Sequence, residues 1–144
     1  MISKTKLIHE KYHQQTKAQT KIISKNNFTY RHLITEIDKY LKPGMQILDV
    51  GCGAGTLDFY YAKKGFSVTG IDISEHAIKN CIKSVKKMNL NNCNFFKLDF
   101  PSEKINGHFD FIIFTEVIEH LNNDTFALQK LYSVLNKNGY LFIS

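Results

Sequence analysis

Three glycines at alternate positions give the strongest chemical signal in this chain. Gly51, Gly53 and Gly55 directly follow the short apolar run Gln46–Val50 and precede residues 57–64, whose pattern is helical. A glycine has no Cβ, so another group can come close to its backbone, and the first turn of the following helix offers unpaired N–H groups to a polar ligand. The spacing predicts a strand, a glycine loop and a helix that together hold a ligand.

Two phosphate-binding motifs fit this loop poorly. A dinucleotide-binding G-x-G-x-x-G fingerprint needs a glycine at position 56, which is Thr56, and no lysine follows the loop as it does in a P-loop. An oxidoreductase that binds a nicotinamide dinucleotide stays open as the weakest alternative.

Acidic residues follow the next two predicted strands. Asp72 ends the strand predicted at 67–71, about 20 residues after the glycines, where a carboxylate can accept both hydroxyls of a ribose. The alternative for Asp72 is capping of the next helix, for which Ser74 competes. Asp99 ends the strand predicted at 94–98 and could accept a hydrogen bond from an adenine amino group. Ile73 and Phe100 could enclose the ring, or pack in the core.

A third group of polar residues follows the predicted strand 109–115. Glu116, Glu119 and His120 are spaced i, i+3 and i+4, so on a helix they would share one face. They could bind a hard divalent cation or help to close the pocket. Glu119 and His120 are also candidates for a general base that would take a proton from a hydroxyl group.

The elements that must position these residues alternate along the chain. A helix with Leu33, Ile34 and Ile37 on one face precedes the first strand, and a run that is apolar on both faces, 109–115, is typical of an interior strand. Such alternation predicts a parallel α/β sheet. We expect strands at 46–50, 67–71, 94–98, 109–115 and 140–144, a helix from Ser74 to Asn89 with Ile78, Ile82 and Val85 inward, and a helix with Leu128, Leu131, Tyr132 and Leu135 inward.

Composition limits the class of protein. The chain has 144 residues, which fits one domain, and a net charge of +6. The excess lies before position 43, so residues 1–29 are interpreted as a basic N-terminal cap that either meets an anionic partner such as nucleic acid or is a solvated helix. Three cysteines without a C-x-x-C pair indicate reduced thiols, and no long apolar stretch occurs, so we expect a cytoplasmic protein.

Five motifs then give a resemblance to a known family. The chain resembles the class I S-adenosylmethionine-dependent methyltransferases, and within them the ubiquinone-type O-methyltransferase branch. This implies a Rossmann-like core at 30–144 with a five-stranded parallel sheet in the order 3-2-1-4-5, the cofactor S-adenosylmethionine, and a small-molecule oxygen or nitrogen acceptor. The motifs are D-V-G-C-G-A-G, G-I-D-I-S, L-D-F, F-D-F-I-I-F-T-E-V-I-E-H-L and L-N-K-N-G.

The resemblance assigns the glycine loop to the methionine part of the cofactor. Gly51, Cys52, Gly53 and Gly55 would pass beside it, and Asp49 would support the loop.

The same resemblance assigns the remaining contacts. Asp72 would hold the ribose, Asp99 would face the adenine, and Thr115 with Glu116 would lie beside the methionine amino group. Arg31, at the spacing of an arginine in the ubiquinone-type branch, would pair with the methionine carboxylate or remain a surface residue.

Two further alternatives follow from the family. The E-x-x-E-H pattern is similar to that of metal-assisted RNA 2'-O-methyltransferases, and the ligands that would complete such a site are not found in this sequence. Family members have a final β-hairpin that is missing here, so we expect a truncated core, either active or an inactive cofactor-binding module. An open fifth strand could also self-associate.

Overall fold

A computed structural model describes residues 4–144 of the chain, so residues 1–3 of the predicted cap lie outside the described part. Five parallel strands form one sheet in the order β3-β2-β1-β4-β5, which confirms the predicted fold class and order. The strands are β1 (Gln46–Val50), β2 (Ser67–Asp72), β3 (Cys93–Lys97), β4 (Phe109–Phe114) and β5 (Leu135–Ile143).

Helices precede the sheet and connect its strands. Among the described residues no helix is long and apolar enough to cross a membrane. The helices are α1 (Lys4–His13), α2 (Arg31–Asp38), α3 (Thr56–Lys63), α4 (Glu75–Met88) and α5 (Asp124–Val134), with a short 3₁₀ turn at Ile118–His120.

Apolar side chains cover both faces of the sheet. Neighbouring residues of β1 point to opposite faces, so that Ile47 packs with α2, α3 and α4 while Leu48 packs with α5. This two-sided burial explains why β4 is apolar at almost every position. Because the strands are parallel, the carboxyl ends of β1, β2, β3 and β4 lie at one edge of the sheet, where a parallel α/β sheet binds ligands.

The boundaries of α4 agree with the sequence, but its buried face does not. Ser74 caps the helix by accepting a hydrogen bond from the N–H of Ala77 (3.1 Å), and Asn89 ends it with a φ of 52°. The predicted apolar stripe is wrong at Ile82, which is 41% exposed. Asn80 and Ser84 are buried instead, because the N-terminal segment covers them.

The last helix and strand also differ from the prediction. Tyr132 is 78% exposed, and the buried face of α5 consists of Ala127, Leu131 and Val134. Leu135 does not belong to the helix but begins β5, five residues before the predicted start at Tyr140. Inside this strand Asn138 has a φ of 62°, and the register with β4 shifts between Phe109 and Phe111.

Candidate functional site

The glycine loop is tied to the end of β2 by backbone hydrogen bonds. The N–H groups of Gly51 and Cys52 both donate to the carbonyl of Ile71, at 2.8 and 3.0 Å. The N–H of Gly53 donates to Oδ2 of Asp72 at 2.9 Å. Cys52 itself is buried. The loop that was predicted to hold a ligand is therefore joined directly to the acidic residue that was predicted to hold a ribose.

Two of the three glycines are required by packing within the protein. Gly51 has a φ of +81°, and a Cβ there would overlap Cγ2 of Val117. At Gly55, with a φ of +73°, a Cβ would lie within 3.1 Å of three side chains, including those of Phe59 and Cys81. The groups that approach these two backbones therefore include side chains of the protein itself. Gly53 has more room, since a Cβ there would meet His13 at an ordinary 3.5 Å.

Asp72 is placed to bind hydroxyl groups. Its side chain is buried, and each of its oxygens accepts one N–H, from Gly53 at 2.9 Å and from Ser74 at 2.8 Å. Ser74 caps α4, so Asp72 is not needed for that role. A carboxylate has about four lone-pair positions. Acceptor capacity therefore remains for two ribose hydroxyls, which is the fit that the predicted cofactor needs.

A second carboxyl group lies beneath the loop beside Asp49. Asp58, on α3, is 1% exposed, and Asp49 is 5% exposed. Burial raises the pKa of Asp49 to about 7, with the charge of Asp72 acting in the same direction. Burial and the neighbouring Asp49 raise the pKa of Asp58 well above its usual value. The sequence reasoning missed Asp58, although an acid inside the apolar run L-D-F-Y-Y-A was a visible signal.

The residues expected around the adenine lie at the ends of β2 and β3. Ile73 is half-buried and belongs to neither apolar cluster of the core, so its side chain remains available to a ring. Phe100 packs edge-on against Phe114, with ring centroids 5.7 Å apart, and so also serves the core. Asp99 is half-buried two residues beyond the end of β3, and its N–H donates to Glu103.

The segment after β4 differs from its prediction. Thr115 is half-buried, but Glu116 is exposed, has a φ of 55°, and donates its N–H to the carbonyl of Ser144 (3.0 Å). The shared helical face for Glu116, Glu119 and His120 is wrong, because this left-handed residue precedes a helical turn of only three residues. Nε2 of His120 lies 3.8 Å from Oε1 of Glu119. Within residues 4–144 no group of three or more His, Cys, Asp or Glu is arranged to hold a metal ion.

Arg31 is the first residue of α2. Its side chain is exposed, and its guanidinium lies over the ring of Phe28, 5.4 Å from the centroid. Pairing with a methionine carboxylate stays a prediction.

Comparison with known proteins identifies the family. A family profile described as a methyltransferase domain matches residues 41–144. The chain belongs to the class I S-adenosylmethionine-dependent methyltransferases. The predicted cofactor, S-adenosylmethionine, is thereby confirmed, and the dinucleotide and RNA alternatives gain no support.

Several of the similar relatives are named as methyltransferases of small molecules, and another is named ribosomal protein L11 methyltransferase. Ubiquinone biosynthesis O-methyltransferase of Pelagibacter ubique (strain HTCC1062) is 34% identical over 125 residues, covering 83% of this chain and 49% of that protein. Probable (S)-tetrahydroprotoberberine N-methyltransferase 2 of Papaver bracteatum is 30% identical over 105 residues, covering 72% and 29%. The chain spans about half or less of the length of these relatives.

A solved structure shows the same fold. Coclaurine N-methyltransferase, crystallised with N-methylheliamine and SAH, superposes with a TM-score of 0.72 at 23% identity, covering 99% of this chain and 43% of that chain. At this identity the likeness concerns the fold.

Proposed function

We propose that this methyltransferase core moves a methyl group from S-adenosylmethionine to an oxygen or nitrogen atom of a small molecule. The observation that supports the proposal most directly is the hydrogen bond between the glycine loop and Asp72. A buried carboxylate there fixes the loop through Gly53 and still has acceptor capacity for a ribose.

The cofactor would lie along the edge that these residues form. Gly51, Cys52, Gly53 and Gly55 would pass beside its methionine part, and Asp49 would support the loop from beneath. Asp72 would accept the ribose hydroxyls.

The two ends of the cofactor would meet other strand ends. Asp99 would face the adenine, and Ile73 with Phe100 would enclose the ring. Thr115 and Glu116 would lie beside the amino group at the end of β4, and Arg31 would pair with the carboxylate.

Little covalent chemistry is required from the protein. Bound S-adenosylmethionine supplies an electrophilic methyl group on a sulfonium. The residues of the chain then have to orient the acceptor in line with that methyl and exclude water from between the reactants. The half-buried Thr115 and the buried Cys52 would lie on the side of this arrangement that is kept from water.

An acceptor hydroxyl would also need a base. His120 and Glu119 lie just after β4, and the carboxylate 3.8 Å from the imidazole can keep the ring oriented. We assign them the role of general base and its partner.

The reduced state of the three cysteines, all free in the described residues, favours a cytoplasmic location.

The first test is calorimetric titration with S-adenosylhomocysteine. We expect micromolar-class binding by the parent chain, on the order of −8 kcal/mol. Asp72→Asn keeps the size of the side chain but weakens its acceptor capacity, so affinity should fall by at least about 30-fold.

The matched control is Asp110→Asn. Asp110 also accepts two hydrogen bonds, from the N–H of Gln46 and from Asn136, both at 2.8 Å, but it lies at the opposite edge of the sheet. Its variant should bind like the parent. A folded parent that does not bind the ligand would contradict the proposal, and binding without methyl transfer to any acceptor would indicate an inactive cofactor-binding module.

Two expected partners remain predictions. The outer edge of β5 is unpaired among the described residues, and Ile143 there is 41% exposed. Self-association through this edge predicts a concentration-dependent mass in sedimentation. An anionic partner for the basic N-terminal segment predicts salt-sensitive binding to nucleic acid.

A further inference from the structure

Three polar residues of α4 form a stripe that faces the N-terminal segment, and two of them are buried. His76, Asn80 and Ser84 are spaced four residues apart, so they lie on one side of the helix. Each of the three is hydrogen-bonded to a residue between positions 10 and 19, His76 through its backbone N–H. The N–H of His76 donates to Glu10 at 3.2 Å, the amide of Asn80 donates to the carbonyl of Thr16 at 2.9 Å, and Oγ of Ser84 accepts the N–H of Gln19 at 2.8 Å.

Gln19 connects this segment to the glycine loop itself. Its side-chain Nε2 donates to the carbonyl of Ala54 and to Oγ1 of Thr56, both at 2.9 Å. These two acceptors lie on either side of Gly55, which has a φ of +73° and makes no side-chain cap for α3. One amide group therefore holds both ends of the turn that leads into the helix.

The chemistry of the contact leaves the ligand side of the loop open. At Ala54 and Thr56 Gln19 acts as a donor, so it does not occupy the backbone N–H groups at the start of α3. Those groups are the ones that a polar ligand part would use. Gln19 can fix the shape of the loop without competing with a ligand for its donors.

His13, the last residue of α1, lies over the same loop. Its side chain is 7% exposed, and its Cε1 lies 3.5 Å from the point where a Cβ on Gly53 would stand. The imidazole is therefore a neighbour of Gly53, the glycine of the loop at which an added Cβ would meet no atom closer than this one. A ligand beside Gly53 would meet this part of the N-terminal segment.

We propose that residues 10–19 form a strap over the cofactor loop, in which Gln19 is the positioning residue that sets the turn at Gly55. The strap rests on the proposed function, because it controls how tightly the loop holds the cofactor.

The test compares Gln19→Met with Gln14→Met. Methionine keeps the length of glutamine but has no N–H donor, and Gln14 is exposed on the same segment, so it is the matched control. Calorimetry with S-adenosylhomocysteine should give a dissociation constant about tenfold higher for Gln19→Met, with an unchanged number of binding sites per chain, while Gln14→Met binds like the parent. An unchanged dissociation constant, or a loss of sites only, would overturn the strap, since a merely structural residue changes the folded fraction.

A second measurement needs no ligand. Amide hydrogen exchange of residues 51–56 should be faster in Gln19→Met than in the parent and in Gln14→Met. Equal protection in all three proteins would overturn the role of Gln19. If the parent does not bind the ligand, the proposed function fails, and the exchange measurement alone decides whether the strap holds the loop.

Discussion

The two strand ends that would face the reactants are built in different ways. At the end of β1 and β2 three N–H groups of the glycine loop donate hydrogen bonds to Ile71 and Asp72, and both Asp49 and Asp72 are buried. At the end of β4 the side chains of Glu119 and His120 are each 46% exposed, and Glu116 has a left-handed backbone. We propose that the first region is preorganised for the cofactor. The second region is more exposed, and we propose that it accepts the molecule that is methylated.

We expect the largest effect on stability from a substitution of Gly51. A Cβ there would overlap Val117, which follows β4, so this glycine joins the two regions. Gly51→Ala should lower the free energy of unfolding by about 2 to 5 kcal/mol, from overpacking and from the positive φ. Urea denaturation measures this.

Gly65→Ala is the control for Gly51→Ala. Gly65 has a φ of +94°, but a Cβ there would meet nothing within 4 Å among the described residues. It should cost only about 1 to 2 kcal/mol. Equal costs at the two positions would mean that Val117 does not press on the loop.

The buried acids predict how the preorganised region responds to pH. The pKa of Asp49 rises from 3.8 to about 7 on folding, so between these values the folded state holds a proton that the unfolded state has lost. The contribution of Asp49 to stability should therefore be greatest below about pH 4 and fall, by on the order of 4 kcal/mol, as the pH rises from about 4 to about 7. Thermal unfolding across this range tests the sign.

Asp58→Asn sharpens that test. Asparagine replaces a carboxyl group whose pKa burial keeps well above its usual value with a permanently neutral group of similar size. The variant should lose less stability between pH 6 and 8 than the parent does, whereas Asp124→Asn, at the exposed start of α5, should follow the parent. Parallel curves for the parent and Asp58→Asn would show that folding does not raise the pKa of Asp58.

The smallest effects should come from the open region. Glu119→Gln and His120→Gln remove half-exposed groups whose contact with each other is 3.8 Å long. We expect stability within about 0.5 kcal/mol of the parent and affinity for S-adenosylhomocysteine within about twofold. A tenfold loss of affinity in either variant would place these residues in the cofactor site rather than on the acceptor side.

The sequence predicted those elements whose local signals act alone. Gln46–Val50 was predicted with its observed bounds, and Ser74 and Asn89 mark the limits of α4, because a short apolar strand, a cap and a left-handed residue each carry their own pattern. Predictions failed where a distant segment decides burial. Asn80 is buried by a strap 64 residues away in sequence, which no helical periodicity can show.

Prediction of the site divides in the same way. The positions of Asp72 and the glycines follow from the strand–loop–helix order, whereas the positive φ of Glu116 depends on its hydrogen bond to Ser144 at the end of β5. This hydrogen bond joins residues that are far apart in the sequence. The local spacing of Glu116, Glu119 and His120 could not reveal it and suggested a helix instead.

The most direct test of the account follows backbone amide signals of ¹⁵N-labelled protein by NMR while S-adenosylhomocysteine is added. We predict large shifts for Gly53, Ile73 and Phe100 and small ones for Glu119 and His120, because the ligand should lie along β1, β2 and β3. Saturating binding that leaves the amides of the glycine loop and of Ile73 unshifted would contradict the assignment of the cofactor to this edge.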